Sequence, residues 1–487
     1  MIRKFINRRE ELEYLEREFL DTGLKVVILY GRRRVGKTEL INQFCKDKPH
    51  IYFLADKRGT QVNAREFAAN SAGYFNDIMP EVRNFDDAFI YVQKRAGDGR
   101  LIVTIDEFAY LVEKDDSIPS VFQKIVDVHL KGTNVYLILC GSSISMMEGI
   151  LGYRSPLYGR RTGQWRVTPL KFKDSWSFLP RYSLEEFIEA FSVVGNIPAY
   201  LTQFDDSAGV YENIEKRTLG KGNPLYEEVE FILRAELREP SVYMSVVEAI
   251  ANGATKVTEI ANRCYRDAKD IPKYLQVLQR LQLVQRVVPV TERRPKTKKA
   301  LYQISDNFFR FWFRFVYPNR SDVEGGEVDR VLTKIKAEFN PYVGMIFEQV
   351  CREFLEELNL RAGLALPFHF TKIGNWWGYF REDGVRKEIE IDIVALNEDT
   401  RDILFAECKW QNKKVGIGTY HNLMEKSTRV EWDNDKRREY FALFSKAGFT
   451  PELKRKKEKE NVILFDLKEI EKYLKSYSAD KKTGNKL

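Results

Sequence analysis

The chain has 487 residues, 44% of them hydrophobic and 31% charged, with a formal net charge of +8. That length exceeds what one hydrophobic core supports and predicts two to four domains, and the composition excludes a disordered chain. The longest apolar runs, VVILY at 26–30 and VYLILC at 135–140, are strand-length, far short of a membrane span. The N-terminal MIRKFINRREELEYL mixes both charge signs and lacks an apolar signal core, so a cytoplasmic protein with no membrane partner is expected. Cys45, Cys140, Cys264, Cys351 and Cys408 stand singly and there are only four histidines, which argues against a zinc or disulfide framework. The mild positive charge is compatible with nucleic acid without being diagnostic of it.

In chain order, FINRREEL places Asn7 three residues before Glu10, a capping-box spacing that predicts a helix start. KVVILY (25–30) predicts a buried strand. It runs directly into GRRRVGKT, Gly31 to Thr38, and then into the helical ELINQFCK. In such a strand–loop–helix setting the backbone around Gly31, Arg32, Arg33, Arg34, Val35 and Gly36 wraps phosphates. Lys37 is expected to reach the β- and γ-phosphates of ATP, and the Thr38 hydroxyl to ligate Mg²⁺. A second buried strand, LIVTIDEF (101–108), ends in Asp106, suited to the Mg²⁺ shell, and Glu107, suited to polarising the attacking water. An ordinary acidic helix cap is the plainer alternative. A third strand ends in Ser142 and Ser143, which either sense the γ-phosphate or make a turn. Arg160 and Arg161 follow in SPLYGRRTGQW. They either stabilise transition-state charge, in cis or in trans, or form a solvated basic turn.

Residues 1 to about 238 resemble the archaeal ATPase family of the AAA+/STAND group of P-loop NTPases. The stretches that carry the likeness are FINRREEL, GRRRVGKT, LIVTIDEF, GSS, PLYGRRTG and VGNIPAYL. The resemblance implies an ATPase core over 1–170 and a helical lid over 171–238, with Pro198 beside the adenine and with self-association through the ATPase. Relatives usually read G-G-I-P where this chain has Gly195, Asn196, Ile197 and Pro198. Asn tolerates a left-handed backbone, so the turn is expected to survive.

Residues 239–304 predict a winged helix. SVYMSVVEAIAN, KVTEIANRC and DIPKYLQVLQRLQLVQR read as three helices, the last with apolar residues at 274, 275, 278 and 281. Strands VVPV and LYQIS flank TERRPKTKKA. Its Arg293, Arg294, Lys296, Lys298 and Lys299, with Lys273, Gln276, Gln279 and Arg280 on the third helix, suit DNA phosphate and groove contacts. An intramolecular regulatory role is the competing reading. NFFRFWFRFVYPN, within a connector over 305–335, interleaves Arg310 and Arg314 with aromatics. Core packing is the favoured reading there, over base stacking. Asp322 to Asp329 reads as a loop.

In the last module, 336–475, KEIEIDIVAL (387–396) alternates Ile389, Ile391 and Ile393 with Glu388, Glu390 and Asp392. A tight polar turn joins it to LFAECKW (404–410), so a hairpin brings Asp392 to Glu407 and Lys409. The upstream helix VGMIFEQVCREFLEEL offers Glu348. Converging carboxylates call for a cation, and hard oxygen donors suit Mg²⁺ or Mn²⁺. Lys409 would then orient water or stabilise phosphorane charge. A surface cross-strand ion pair is the bland alternative. The ordered set Glu348, Asp392, Glu407, Lys409 resembles the PD-(D/E)XK nuclease superfamily and, more closely, the domain of unknown function 234 found behind archaeal ATPases. Cys408 is expected in the core, KRKKEKE (454–460) in a solvated loop, and 476–487 in a flexible tail. The expectation is a multidomain α/β chain. It comprises a P-loop AAA+-type parallel sheet with helical lid, a winged helix and a C-terminal PD-(D/E)XK nuclease-like domain. Its function would be ATP hydrolysis coupled to a DNA-binding, Mg²⁺-dependent nuclease-like module. The rival is a nucleotide-operated switch or DNA scaffold whose nuclease-like domain cuts nothing.

Overall fold

The computed structural model describes residues 5–237, 239–294, 297–360, 366–382, 384–457 and 462–483. Lys296 of the basic hairpin, residues 458–460 of the KRKKEKE run and the end of the tail (484–487) therefore lie outside the described residues. The chain divides into two compact units, Met1–Leu170 with Ile197–Ala199, and Lys171–Asn196 with Tyr200–Leu487.

The first unit is built on strands β1 (Lys25–Tyr30), β2 (His50–Leu54), β3 (Leu101–Asp106), β4 (Val135–Gly141) and β5 (Gly163–Arg166). They pair in the order β2-β3-β4-β1-β5, every pair parallel. Parallel neighbours need long crossovers, here mostly helices, and helices cover the sheet. Hence β3 and β4 are buried along their whole length and read as continuous apolar runs. β1 is an inner strand between β4 and β5, so the loop after it opens at the carboxyl edge of the sheet, on the same edge as the ends of β3 and β4.

Asn7 does not cap the first helix, Arg9–Leu20. Asn7 and Arg8 both take left-handed backbone (φ 57° and 67°), Arg8 occupies the cap position, and no side chain caps the helix. The Arg8 side chain goes elsewhere: it donates to the carbonyls of Val35 and Thr168, both at 2.7 Å, and pairs with Glu11. Arg8 thus braces the phosphate loop from below the helix start.

In the second unit, helices Pro240–Ala251, Val257–Arg263 and Ile271–Arg280 precede strands β6 (Val284–Val287) and β7 (Leu301–Ile304), an antiparallel pair. Tyr274, Leu275, Leu278 and Leu281 are buried, as the stripe predicts. The first wing strand lies earlier than VVPV, however. Gln282 takes left-handed backbone (φ 58°) and ends the helical path, and Pro289, without an N–H, lies beyond the strand. Phe308, Phe309, Phe311, Trp312, Phe313 and Phe315 are buried, with the Trp312 indole N–H donating to the Tyr226 carbonyl at 2.8 Å, so the aromatic connector packs as core. The expected loop at 322–329 is partly helical: a helix Arg320–Glu324 turns at Gly325 and Gly326 (φ 92°) into the long helix Val328–Asn359.

Five further strands, β8 (Lys372–Glu382), β9 (Val385–Asn397), β10 (Asp402–Lys409), β11 (Arg438–Ser445) and β12 (Val462–Asp466), form a mixed sheet in reverse chain order. β8, β9 and β10 are antiparallel, while β10, β11 and β12 are parallel. Helix Pro451–Lys457 occupies the start of the stretch expected as a loop. The last helix, Leu467–Thr483, runs through most of the expected tail.

Candidate active sites

The phosphate loop has the backbone its sequence requires. Arg34 (φ 69°) and Gly36 (φ 93°) are left-handed. A side chain at Gly31 would collide with the Val167 carbonyl, so only glycine fits there. Lys37 is buried and donates to the carbonyls of Gly31 and Arg32, both at 2.9 Å, which folds its ammonium into the loop. Thr38 donates to Asp106 Oδ2 at 2.8 Å. Asp106 is 2% exposed, and the Tyr52 hydroxyl donates to the same oxygen at 2.8 Å. Burial, then the Asp106 charge, pushes the Tyr52 phenol well above its ordinary range, so Tyr52 stays a neutral donor. Sequence reasoning missed Tyr52, because nothing local marks the middle residue of β2 as facing the end of β3.

Glu107 sits one residue beyond β3 with φ 52°. Its Oε1 accepts from the Ser142 hydroxyl at 2.6 Å, and its Oε2 from the Ser142 N–H at 3.3 Å. The structure thus joins Thr38, Asp106, Glu107 and Ser142 across the ends of three adjacent elements. A Cβ on Gly36 would lie 3.8 Å from Pro198 Cγ, so Pro198 borders the loop. The left-handed residue of that turn is Gly195 (φ 63°), whereas Asn196 stays outside the left-handed region. The departure from G-G-I-P therefore falls where no special backbone is needed. Arg160 pairs with Asp127 at 3.1 Å. Arg161 donates to the carbonyls of Leu151 and Tyr158 and stacks on the Tyr158 ring. These partners lie outside the phosphate loop.

The second site forms where the β9–β10 ladder ends. The ladder stops at Ile393 and Ala406. The β8–β9 register shifts between Gly374 and Trp376, a bulge in the pairing beside Asp392. Simple alternation put Ile389, Ile391 and Ile393 on one face. Instead Ile389 and Ile391 share a core with Val394 and Leu396, because the irregularity switches the face between them. The Asp392 carboxylate fills the gap, accepting from the Cys408 N–H at 2.7 Å. Glu407 is buried on the other side of the same junction. Lys409 donates to its Oε1 at 2.7 Å, and Lys426, from helix Ile417–Ser427, to its Oε2 at 3.0 Å.

Burial, and then the Glu407 charge, raises Asp392 from 3.8 to about 6, with the Cys408 N–H working against the rise. Burial, then Asp392, Glu390 and Glu407, holds Glu348 well above the usual carboxylate range. Burial acts to lower Lys409, but Glu407 outweighs it and the ammonium is held more firmly than usual. Among the described residues, no group of three or more His, Cys, Asp or Glu side chains is arranged to hold a metal ion. The expected three-carboxylate shell of Glu348, Asp392 and Glu407 is therefore not formed. Glu348, on the long helix, makes no such group with the other two. Asp392 and Glu407 remain as two oxygen donors, and Mg²⁺ commonly takes one or two protein carboxylates and keeps its waters. The residues fit that lesser site. Lys426 was not legible beforehand, since it lies 17 residues beyond Lys409 with nothing local to mark it. Cys408 contacts Cys351 in the core, as expected of it.

Arg293, Arg294, Lys298 and Lys299 of the hairpin are exposed. The wing also touches its own chain. The Val290 N–H donates to the Asn375 carbonyl at 3.0 Å, the Trp377 indole to the Lys299 carbonyl at 3.2 Å, and Arg293 lies 3.9 Å from Glu398.

Residues 5–204 match the model of an ATPase domain predominantly from Archaea, and residues 312–421 match that of archaeal and bacterial proteins of unknown function. An uncharacterized protein of Methanocaldococcus jannaschii is 36% identical over 96% of this chain and 100% of its own. An uncharacterized ATP-binding protein of the same organism is 57% identical over 44 residues, 9% of this chain and 75% of its own. Among solved structures, a Walker-type ATPase of Pyrococcus abyssi is 21% identical with a TM-score of 0.45, over 64% of this chain and 96% of its own. The Aeropyrum pernix ORC2 protein is 13% identical with a TM-score of 0.42, over 69% and 96%.

Proposed function

We propose a function from one premise: this chain belongs to the archaeal ATPase family in which an N-terminal ATPase domain is followed by a C-terminal domain of unknown function. The N-terminal module is an ATPase domain. ATP is its substrate, and hydrolysis governs the state of a DNA-binding C-terminal module whose β9–β10 junction cleaves phosphodiesters. The hydrogen-bonded series Thr38–Asp106–Glu107–Ser142 beside the phosphate loop carries this reading. Thr38 and Asp106 would hold Mg²⁺, which supplies charge neutralisation at the β- and γ-oxygens. Lys37 exchanges its two carbonyl partners for phosphate oxygens. Glu107 orients the attacking water once Ser142 releases it, so the Ser142–Glu107 bond reports whether nucleotide is present. Arg160 or Arg161 supplies charge to the transition state, in cis or from a second copy.

At the second site Asp392 and Glu407 would hold Mg²⁺ or Mn²⁺, which supplies an acidified water and neutralises phosphate charge. Lys409 stands ready to stabilise charge on the phosphate, and Arg293, Arg294, Lys296, Lys298 and Lys299 attract the DNA backbone. One observation favours a second reading, a nucleotide switch that cuts nothing. Glu407 is paired with two lysines and Asp392 accepts from a backbone N–H, so both carboxylates have partners within the fold. Supercoiled, linear, branched and single-stranded DNA incubated with the full chain, with and without ATP and Mg²⁺ or Mn²⁺, separates the two. Nicking that EDTA stops supports the nuclease. Nucleotide-dependent association without nicking leaves the switch.

A further inference from the structure

The second unit encloses a cavity of ≈ 530 Å³ that belongs neither to the phosphate loop nor to the β9–β10 junction. Its wall comes from the first helix of the winged module, from β7, from the aromatic connector and from the long helix. Ile250, Tyr302, Ile304 and Pro341 give it apolar and aromatic surface, and Arg310, Arg314 and Glu338 give it charge, two cations against one carboxylate. Volumes of about 300–1,000 Å³ suit small organic ligands.

The two arginines are unlike each other. Arg314 is exposed and pairs with Glu338 at 2.6 Å. Arg310 donates through Nη2 to the Ile304 carbonyl, while its Nε is buried and makes no hydrogen bond. Tyr342, Glu348 and Asp306 act on it through space, and Arg352 opposes them. Burial draws its pKa down. A guanidinium fork presents itself to a planar or tetrahedral oxyanion. Arg310 closes the helical segment Asn307–Phe311, and Arg314 lies in the π-turn Trp312–Val316. Such turns recur at functional sites. The Tyr342 hydroxyl, bonded to the carbonyls of Ser192 at 2.9 Å and Asn307 at 3.3 Å, fixes the wall behind them.

We infer that this cavity is a regulatory site for a small organic phosphate of mononucleotide size, its phosphate on Arg310 and Arg314 and its apolar body against Ile250, Tyr302 and Pro341. The ligand would join the winged module to the long helix, which carries Glu348 one turn beyond the cavity wall. The inference does not rest on either catalytic reading.

Thermal unfolding of the full chain tests it. A Lys37→Ala background removes the ammonium that the phosphate loop would place on nucleotide phosphates, and the probes are AMP, inorganic phosphate and adenosine. AMP is expected to raise Tm by about 3 °C at saturating concentration, and adenosine by nothing. Arg310→Gln should abolish the rise, while Arg310→Lys retains part of it. Met345→Trp, which narrows the cavity without touching either arginine, should weaken AMP binding at least fivefold if Arg310→Gln fails to fold. An AMP effect that survives both Arg310→Gln and Met345→Trp overturns the site. So does the failure of AMP to move Tm at all. An equal rise with inorganic phosphate overturns the organic body of the ligand.

Discussion

Glu107 occupies a left-handed backbone position that non-glycine residues seldom take, and Ser142 grips its carboxylate from the neighbouring strand. Residues held so at the edge of a phosphate site are usually placed for chemistry. Glu107→Gln is expected to keep ATP affinity within about threefold and to lower turnover by about 100-fold or more, measured as phosphate release. Wild-type turnover in this variant would remove Glu107 from its role. Lys37→Ala should instead weaken binding itself, because the loop loses the ammonium that its carbonyls now hold. A different residue reports on stability. Burial raises Glu353 above the usual carboxylate range, against the Phe172 N–H at 2.9 Å and the Gln349 amide at 3.0 Å. The fold therefore binds this proton more tightly than the unfolded chain does. Its stabilising effect is complete below the unfolded value and is lost as pH rises through the folded one. Glu353→Gln should raise Tm at pH 7.5, and the gain should vanish toward pH 4. An equal gain at both pH values would mean that ionisation of Glu353 is not its source.

At the level of elements, the β9–β10 junction depends on an irregular strand. A regular ladder would continue past Ile393 and Ala406 and leave Asp392 pointing away from the Cys408 N–H. The β8–β9 bulge lies where the β9–β10 pairing stops and changes the face to which β9 side chains point there. The wing is docked on its own chain and also carries exposed cations. Its backbone docks on β8 through Val290 and Lys299, while Arg293, Arg294, Lys298 and Lys299 keep their charges in solvent. Docking fixes the hairpin, and exposure leaves the cations available to phosphate. Glu substitution of those four residues together should weaken DNA binding at low salt. It should also lower the slope of log K against log salt by about 0.9 for each phosphate no longer neutralised. Titrations at several salt concentrations give that slope, and an unchanged slope would assign the wing to intramolecular docking alone.

For the molecule as a whole, the two candidate sites lie in separate compact units, each with its own sheet and core. Their local chemistry should therefore be separable. Asp392→Ala, Glu407→Ala and Lys409→Ala are each expected to abolish DNA nicking while leaving ATP turnover within about twofold. The Asp392/Glu407 double variant should be no worse than either single one, since the carboxylates act as a unit. Lys426→Ala frees one Glu407 oxygen and should strengthen Mn²⁺ binding, read by calorimetry. Wild-type behaviour of all four variants on every DNA, with no Mn²⁺ bound, would make the junction a structural ion-pair cluster and leave the switch.

The phosphate site was legible because its chemistry is local. Gly31 to Thr38 are contiguous, and an apolar strand must precede them for the loop to open at a sheet edge. Asp106 and Glu107 likewise stand at the end of a run too apolar to be anything but a buried strand. The hairpin carrying Asp392, Glu407 and Lys409 was legible for the same reason, since a short polar turn between alternating strands leaves little freedom of register. What the sequence left open is whatever depends on distant segments meeting. Tyr52 on Asp106, Arg8 under the loop and Lys426 on Glu407 each join residues 19 or more apart along the chain, with no periodicity to announce them. The face switch beside Asp392 and the raised pKa of Glu348 are likewise tertiary decisions. The first follows from a register shift against β8. The second follows from burying Glu348 away from water, and then from the neighbouring charges of Asp392, Glu390 and Glu407.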